Sequence, residues 1–83
     1  MESLDINIIY NEIVGKLQIS NNKDIIAELE KSSSGAVTAS EVLMNQGDYL
    51  INLKRNNPPV FNLLEKQIAD YIKYCKQNGL NID

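Results

Sequence analysis

Eighty-three residues with a net charge of −3 and one cysteine describe a single domain, near the size at which one apolar core yields only about 3–5 kcal/mol of net stability. With no histidine there is no imidazole ligand, base or neutral-pH switch, and one thiol builds neither an internal disulfide nor a Cys/His zinc cluster. No run of about 18 apolar residues occurs, and Glu2 and Asp5 stand where a secretory leader carries Lys or Arg, so the expected compartment is the cytoplasm.

The first element is expected over residues 4–17. Ile6, Ile9, Tyr10, Ile13, Val14 and Leu17 recur at three- and four-residue steps, with Asn7, Asn11 and Glu12 on the other side. A strand competes for the start, because Leu4, Ile6, Ile8 and Tyr10 alternate and the β-branched content suits one. The helical period extends to Leu17 while the alternation fails at Ile9, and length decides for helix. Ser20-Asn21-Asn22 is turn material, and Asn21 or Asn22 is placed to cap a short second helix over residues 23–31 that presents Ile25, Ile26 and Leu29. Ser32-Ser33-Ser34-Gly35 then reads as a linker. It lacks the second glycine and the Gly-Lys-Ser/Thr ending of a phosphate-cradling loop.

Thr38-Ala39-Ser40-Glu41 has the form of a capping box, so a third helix is expected over residues 39–56, ending before Asn57 because a residue preceding proline is pushed out of the helical region. Its main stripe is Ala39, Val42, Leu43, Tyr49, Leu50 and Leu53, interrupted by Gln46, which must find a partner or lie at an edge. An edge position, or a bond to a loop carbonyl, is the expectation for Gln46. A fourth helix is expected over residues 59–78: Asn57 caps it, Pro58-Pro59 suits its first turn, and Asn78-Gly79-Leu80 forms a left-handed stop with an apolar residue folding back. Phe61, Leu64, Ile68, Tyr71, Ile72 and Cys75 are its buried face. The fold class is therefore all-α, a small four-helix bundle in which the short connection at Asn57-Pro58 makes helices three and four antiparallel.

Chemistry is thin. Cys75 lies on an apolar stripe near the negative end of its helix, where a thiolate is disfavoured twice, and it reads as a small core residue. Glu28 and Glu30 are two apart on a helix and diverge, and the serines have no histidine. No catalytic, metal or cofactor residue is nominated, and no small-molecule ligand is identifiable. Seven acids against three bases fall between Met1 and Glu41, and four against five from Val42 to Asp83; Lys54-Arg55 is the one basic pair. Phosphate neutralisation needs a cluster, so nucleic-acid binding through Lys54-Arg55 stands only as the alternative. Some apolar surface is left over. Met44 and Ile51 lie off the main stripe of helix three with Gly47 between them, helix four adds Leu63 and Tyr74, and helix one adds Ile8. Met44, Gly47, Ile51, Leu63 and Tyr74 are the candidate interface. The function expected is a non-enzymatic protein–protein interaction or regulatory module, with a symmetric homodimer through helix three as one form of it.

Overall fold

In the computed structural model, which describes residues 4–81, the chain folds into α1 (Ile6–Ile19), α2 (Lys23–Ser32), α3 (Ala39–Asn56) and α4 (Pro58–Gln77), with no strand among the described residues. Glu2 and Asp83, counted in the charge balance, lie outside that range. The boundaries follow local chemistry. Asp5 caps α1 by accepting the Asn7 N–H at 2.9 Å, so the helix starts at Ile6, two residues later than the apolar pattern suggests. It passes through Gly15 and runs two residues beyond Leu17, so the strand alternative over Leu4–Tyr10 is excluded.

Both α1 and α4 end in the same way. Asn21 takes φ +62°, the Asn22 N–H reaches the Leu17 carbonyl at 2.7 Å, and the Asn21 N–H reaches Gln18. Gly79 at φ +79° repeats the arrangement for α4, with the Leu80 N–H on the Cys75 carbonyl at 2.9 Å and Leu80 half-buried against the core. Asn22 occupies the cap position of α2 without a side-chain cap bond, because its amide instead donates to the Ser20 hydroxyl at 2.7 Å. Thr38 caps α3 by accepting the Glu41 N–H at 3.2 Å, and its hydroxyl turns to the Glu41 carboxylate at 3.3 Å. Asn57 closes α3 and opens α4, accepting the Val60 N–H at 3.4 Å ahead of a proline at the first helical position.

The four helices form a ring in which α1 meets α2, α2 meets α3, α3 meets α4 and α4 returns to α1, while the diagonal pairs stay apart. Successive helices alternate in direction. Lys16 on the last turn of α1 donates to the Leu63 carbonyl on the first turns of α4, Tyr49 of α3 donates to Glu28 of α2 at 2.6 Å, and Tyr71 of α4 reaches Gln46 of α3. Each helix contributes to the centre: Ile13 and Leu17 from α1, Leu29 from α2, Leu50 from α3, and Leu64, Tyr71 and Cys75 from α4 are all excluded from solvent. Burial of these apolar faces, each worth about 1.5–3 kcal/mol per large side chain, is what holds helices of this length together.

Burial also fixes the alkaline limit of the fold. Tyr71 is pushed well above its ordinary value of 10.0 by burial first, then by the nearby Cys75 and Tyr10. Tyr49 is raised by burial and then by its bond to the Glu28 carboxylate, and the Cys75 thiol is raised by burial. In each case the folded state prefers the protonated form, so the stabilisation is fully present below the unfolded-state pKa and is lost as pH rises above it. Chemical denaturation across pH is expected to give a flat midpoint from neutrality to about pH 8, a shallow fall above that as the unfolded thiol ionises and a steeper one beyond about pH 10, with Cys75 reacting with thiol reagents only after unfolding. A midpoint that rose above pH 10 would contradict the burial of these hydroxyls.

Candidate functional site

The serine run after α2 decides the shape of the surface. The Ser32 hydroxyl donates to the Leu29 carbonyl at 2.5 Å and the Ser33 hydroxyl to the Glu30 carbonyl at 3.2 Å, local bonds that compete with continued helix, and α2 stops at Ser32. It is 10 residues long, whereas α1 has 14 and α3 has 18. Because α2 seats between α1 and α3, its early end leaves the remaining length of that seat uncovered. A groove of about 390 Å³ opens there, lined by Ile6, Asn7 and Tyr10 of α1 and by Ala39, Val42, Leu43 and Gln46 of α3, with Tyr74 of α4 at its floor.

The end of α2 marks the head of this groove. The Gln46 amide donates to the Ser33 hydroxyl at 3.4 Å, and the Glu30 carboxylate lies close enough to Tyr10 to add to the rise in its pKa, of which burial is the larger cause. No charged side chain lines the groove itself. Its apolar walls are half-buried rather than sealed, and of the four tyrosines, Tyr49 and Tyr71 place their hydroxyls on other side chains while those of Tyr10 and Tyr74 make no such bond among the described residues.

Gln46 is the pivot of the groove wall. It is 8 % exposed, so neither the edge position nor the loop carbonyl expected for it is what the structure provides. Its Oε1 accepts the Tyr71 hydroxyl at 3.0 Å, and its Nε2 reaches Ser33, so one amide ties α3 to α4 and to the end of α2. The Tyr71 hydroxyl also lies 3.5 Å from the Leu43 carbonyl. A signal for this pairing existed: Gln46 and Tyr71 are the polar atoms on facing stripes of two antiparallel helices, eleven residues before and fourteen after Asn57. Gln67 was not singled out by its sequence position, yet it is 5 % exposed on α4, and its Oε1 has no hydrogen-bond partner among the described residues.

The five residues of the expected interface do not come together as one face. Met44 is open to solvent at 43 %, Gly47 is buried by its own chain, and Ile51 is half-buried against the core, so the strip on α3 is interrupted at its centre. Leu63 sits at the opposite end of the bundle, where its carbonyl accepts Lys16. Tyr74 alone reaches the groove. Ile8 is exposed on α1, and Lys54 and Arg55 are exposed at the end of α3 beside a shallow depression that also involves Ile51 and Asn52. A further depression, formed by Ala69, Ile72 and Lys73 with the end of α4, belongs to that helix alone. Among the described residues no group of three His, Cys, Asp or Glu side chains is gathered, and no helix is long and apolar enough to cross a membrane.

Two substitutions test the polar accounting. Tyr71→Phe strands the Gln46 acceptor and is expected to cost about 1–3 kcal/mol in urea denaturation, whereas adding Gln46→Leu to it should recover part of that loss. Gln67→Leu removes an unpartnered oxygen and is expected to raise stability by about 1 kcal/mol; a loss of that size would show that the amide is satisfied. Compared with known protein families, curated proteins and solved structures, the chain matches none of them.

Proposed function

We propose that this protein is a non-enzymatic interaction module that receives an amphipathic helix of another protein in the groove between α1 and α3. The observation that carries the reading is continuity: the groove is the uncovered remainder of the seat that α2 already fills, lined by uncharged, mostly half-buried side chains of three helices. What fits the covered half is a short helix presenting Ile25, Ile26 and Leu29 at helical spacing, and a partner helix with the same spacing meets the same kind of wall. The groove lies open along its side, which suits a helix face better than a small ligand that needs enclosure. The chemistry nearby is that of recognition rather than turnover. Tyr10 has its proton held more tightly than usual, Cys75 is sealed in the core with its thiol also raised, and the groove presents hydroxyls and amides to a partner.

The test uses a stapled helical peptide of about 12–15 residues with leucines at i, i+4 and i+7 and a neutral polar face, long enough to span the groove. Added to isotope-labelled protein, it is expected to shift the amides of residues 6–10 and 39–46 and the vicinity of Tyr74. Val42→Asp, at a half-exposed wall position, should weaken binding at least about tenfold, the equivalent of 1.4 kcal/mol, with helix content unchanged. Shifts confined to another face, or none at millimolar peptide, would overturn the proposal. A protein that sediments as a dimer with these same amides protected would assign the groove to a second copy instead.

A further inference from the structure

We propose that the end of α4 is a site of spontaneous modification, at which Asn78 deamidates through the Gly79 nitrogen whenever the closing turn opens. Of the eleven asparagines in the chain, Asn78 alone is followed by glycine. The reaction consumes only water. The Gly79 amide nitrogen loses its proton to solvent and attacks the side-chain carbonyl carbon of Asn78; the bond from that carbon to the side-chain nitrogen breaks, ammonia leaves, and a five-membered imide remains. Water then opens the imide at one carbonyl or the other, giving aspartate or isoaspartate. A Cβ on the attacking residue would obstruct ring closure, and Gly79 has none. Both residues are exposed, and nothing lies within 4 Å of the place a Cβ would occupy on Gly79.

While the turn is closed, the pair is held in an unreactive form. Asn78 sits at φ −100°, ψ 17°, which turns the Gly79 nitrogen away from the Asn78 side chain. The Gly79 N–H is engaged by the Lys76 carbonyl at 3.1 Å, and the Asn78 amide donates to the Tyr74 carbonyl at 2.9 Å. Attack therefore requires rotation about ψ of Asn78 and the loss of both bonds. Leu80 opposes that opening, because its N–H reaches the Cys75 carbonyl at 2.9 Å and its side chain is half-buried against the core. A last turn secured by one half-buried side chain belongs to the low end of local stability, so it opens without global unfolding.

The product does not restore the turn. Either acid brings a negative charge to the negative pole of α4 and sets an acceptor, in place of a donor, against the Tyr74 carbonyl. Isoaspartate also adds a methylene to the main chain ahead of Gly79, which displaces the N–H groups of Gly79 and Leu80 from the carbonyls of Lys76 and Cys75. Leu80 is thereby released from the core, and the change runs one way.

The full chain is incubated at mildly alkaline pH, digested and mapped by mass spectrometry, with an isoaspartyl methyltransferase and labelled S-adenosylmethionine marking isoaspartate. Conversion is expected at Asn78 before any other asparagine, faster as pH rises, and slower than in the same chain unfolded in guanidinium chloride. Leu80→Ala loosens the turn without touching the reacting pair, and it should speed conversion about fivefold or more with helix content unchanged. Converted protein, separated by anion exchange on its added charge, is expected to show faster hydrogen exchange at the Leu80 amide. Equal rates in the folded and unfolded chains, or a Leu80→Ala rate no faster than that of the parent, would overturn the control by the turn. First conversion at another asparagine, or none at Asn78, would overturn the site itself.

Discussion

Asn57 is the constraint on which the bundle depends. Its position before proline bars it from helical torsions, and it settles at φ −152°, ψ 73°, ending one helix and capping the next with no residue to spare. The two longest helices are thereby turned against each other at once, and no loop is available to let them separate or slide in register. The Gln46–Tyr71 hydrogen bond follows from that register, as does the burial of Gly47 beneath its own chain. With the α3–α4 wall fixed, α1 and α2 are added to its apolar face as a second, shorter hairpin.

Helix identity and nearly every boundary were legible in the sequence because they are written in local chemistry. Thr38, Asn57 and Gly79 each act within three or four residues of themselves, and each does in the structure what its position implied. The two residues by which α1 continues beyond Leu17 were less visible: Gly15 weakens a helix in isolation, but the Asn21 stop and the packing of Leu17 carry it further. Asn22 shows the reverse case, in which a good capping side chain is drawn off by a neighbouring hydroxyl.

The groove was not legible, although its residues were. Periodicity assigned Ile6, Tyr10, Val42 and Leu43 to inward-facing stripes, and inward they face; what periodicity omits is whether the helix opposite is long enough to cover them. That information sits in the serines after Leu29, read in the sequence as a linker and in three dimensions as the edge of an opening. The candidate interface residues do not form one surface for a related reason. Met44, Gly47, Ile51 and Leu63 were gathered as residues left over from each stripe, but leftovers on different helices share a surface only if they lie at the same height and azimuth. Here Leu63 and Met44 belong to opposite ends of the bundle, and Gly47 to its inside.

The ring itself has a kinetic consequence. Three of its four walls join helices adjacent in the chain and form by short-range closure, but the fourth, between α1 and α4, joins the two ends of the chain: its Lys16–Leu63 hydrogen bond already spans 47 positions in sequence, and the Tyr10–Tyr71 approach spans more. Loop entropy grows only logarithmically with length, so this single closure costs modestly more than the hairpins and dominates the contact order of the whole chain. The two hairpins are therefore the units expected to assemble first, and the α1–α4 wall the one expected to close last.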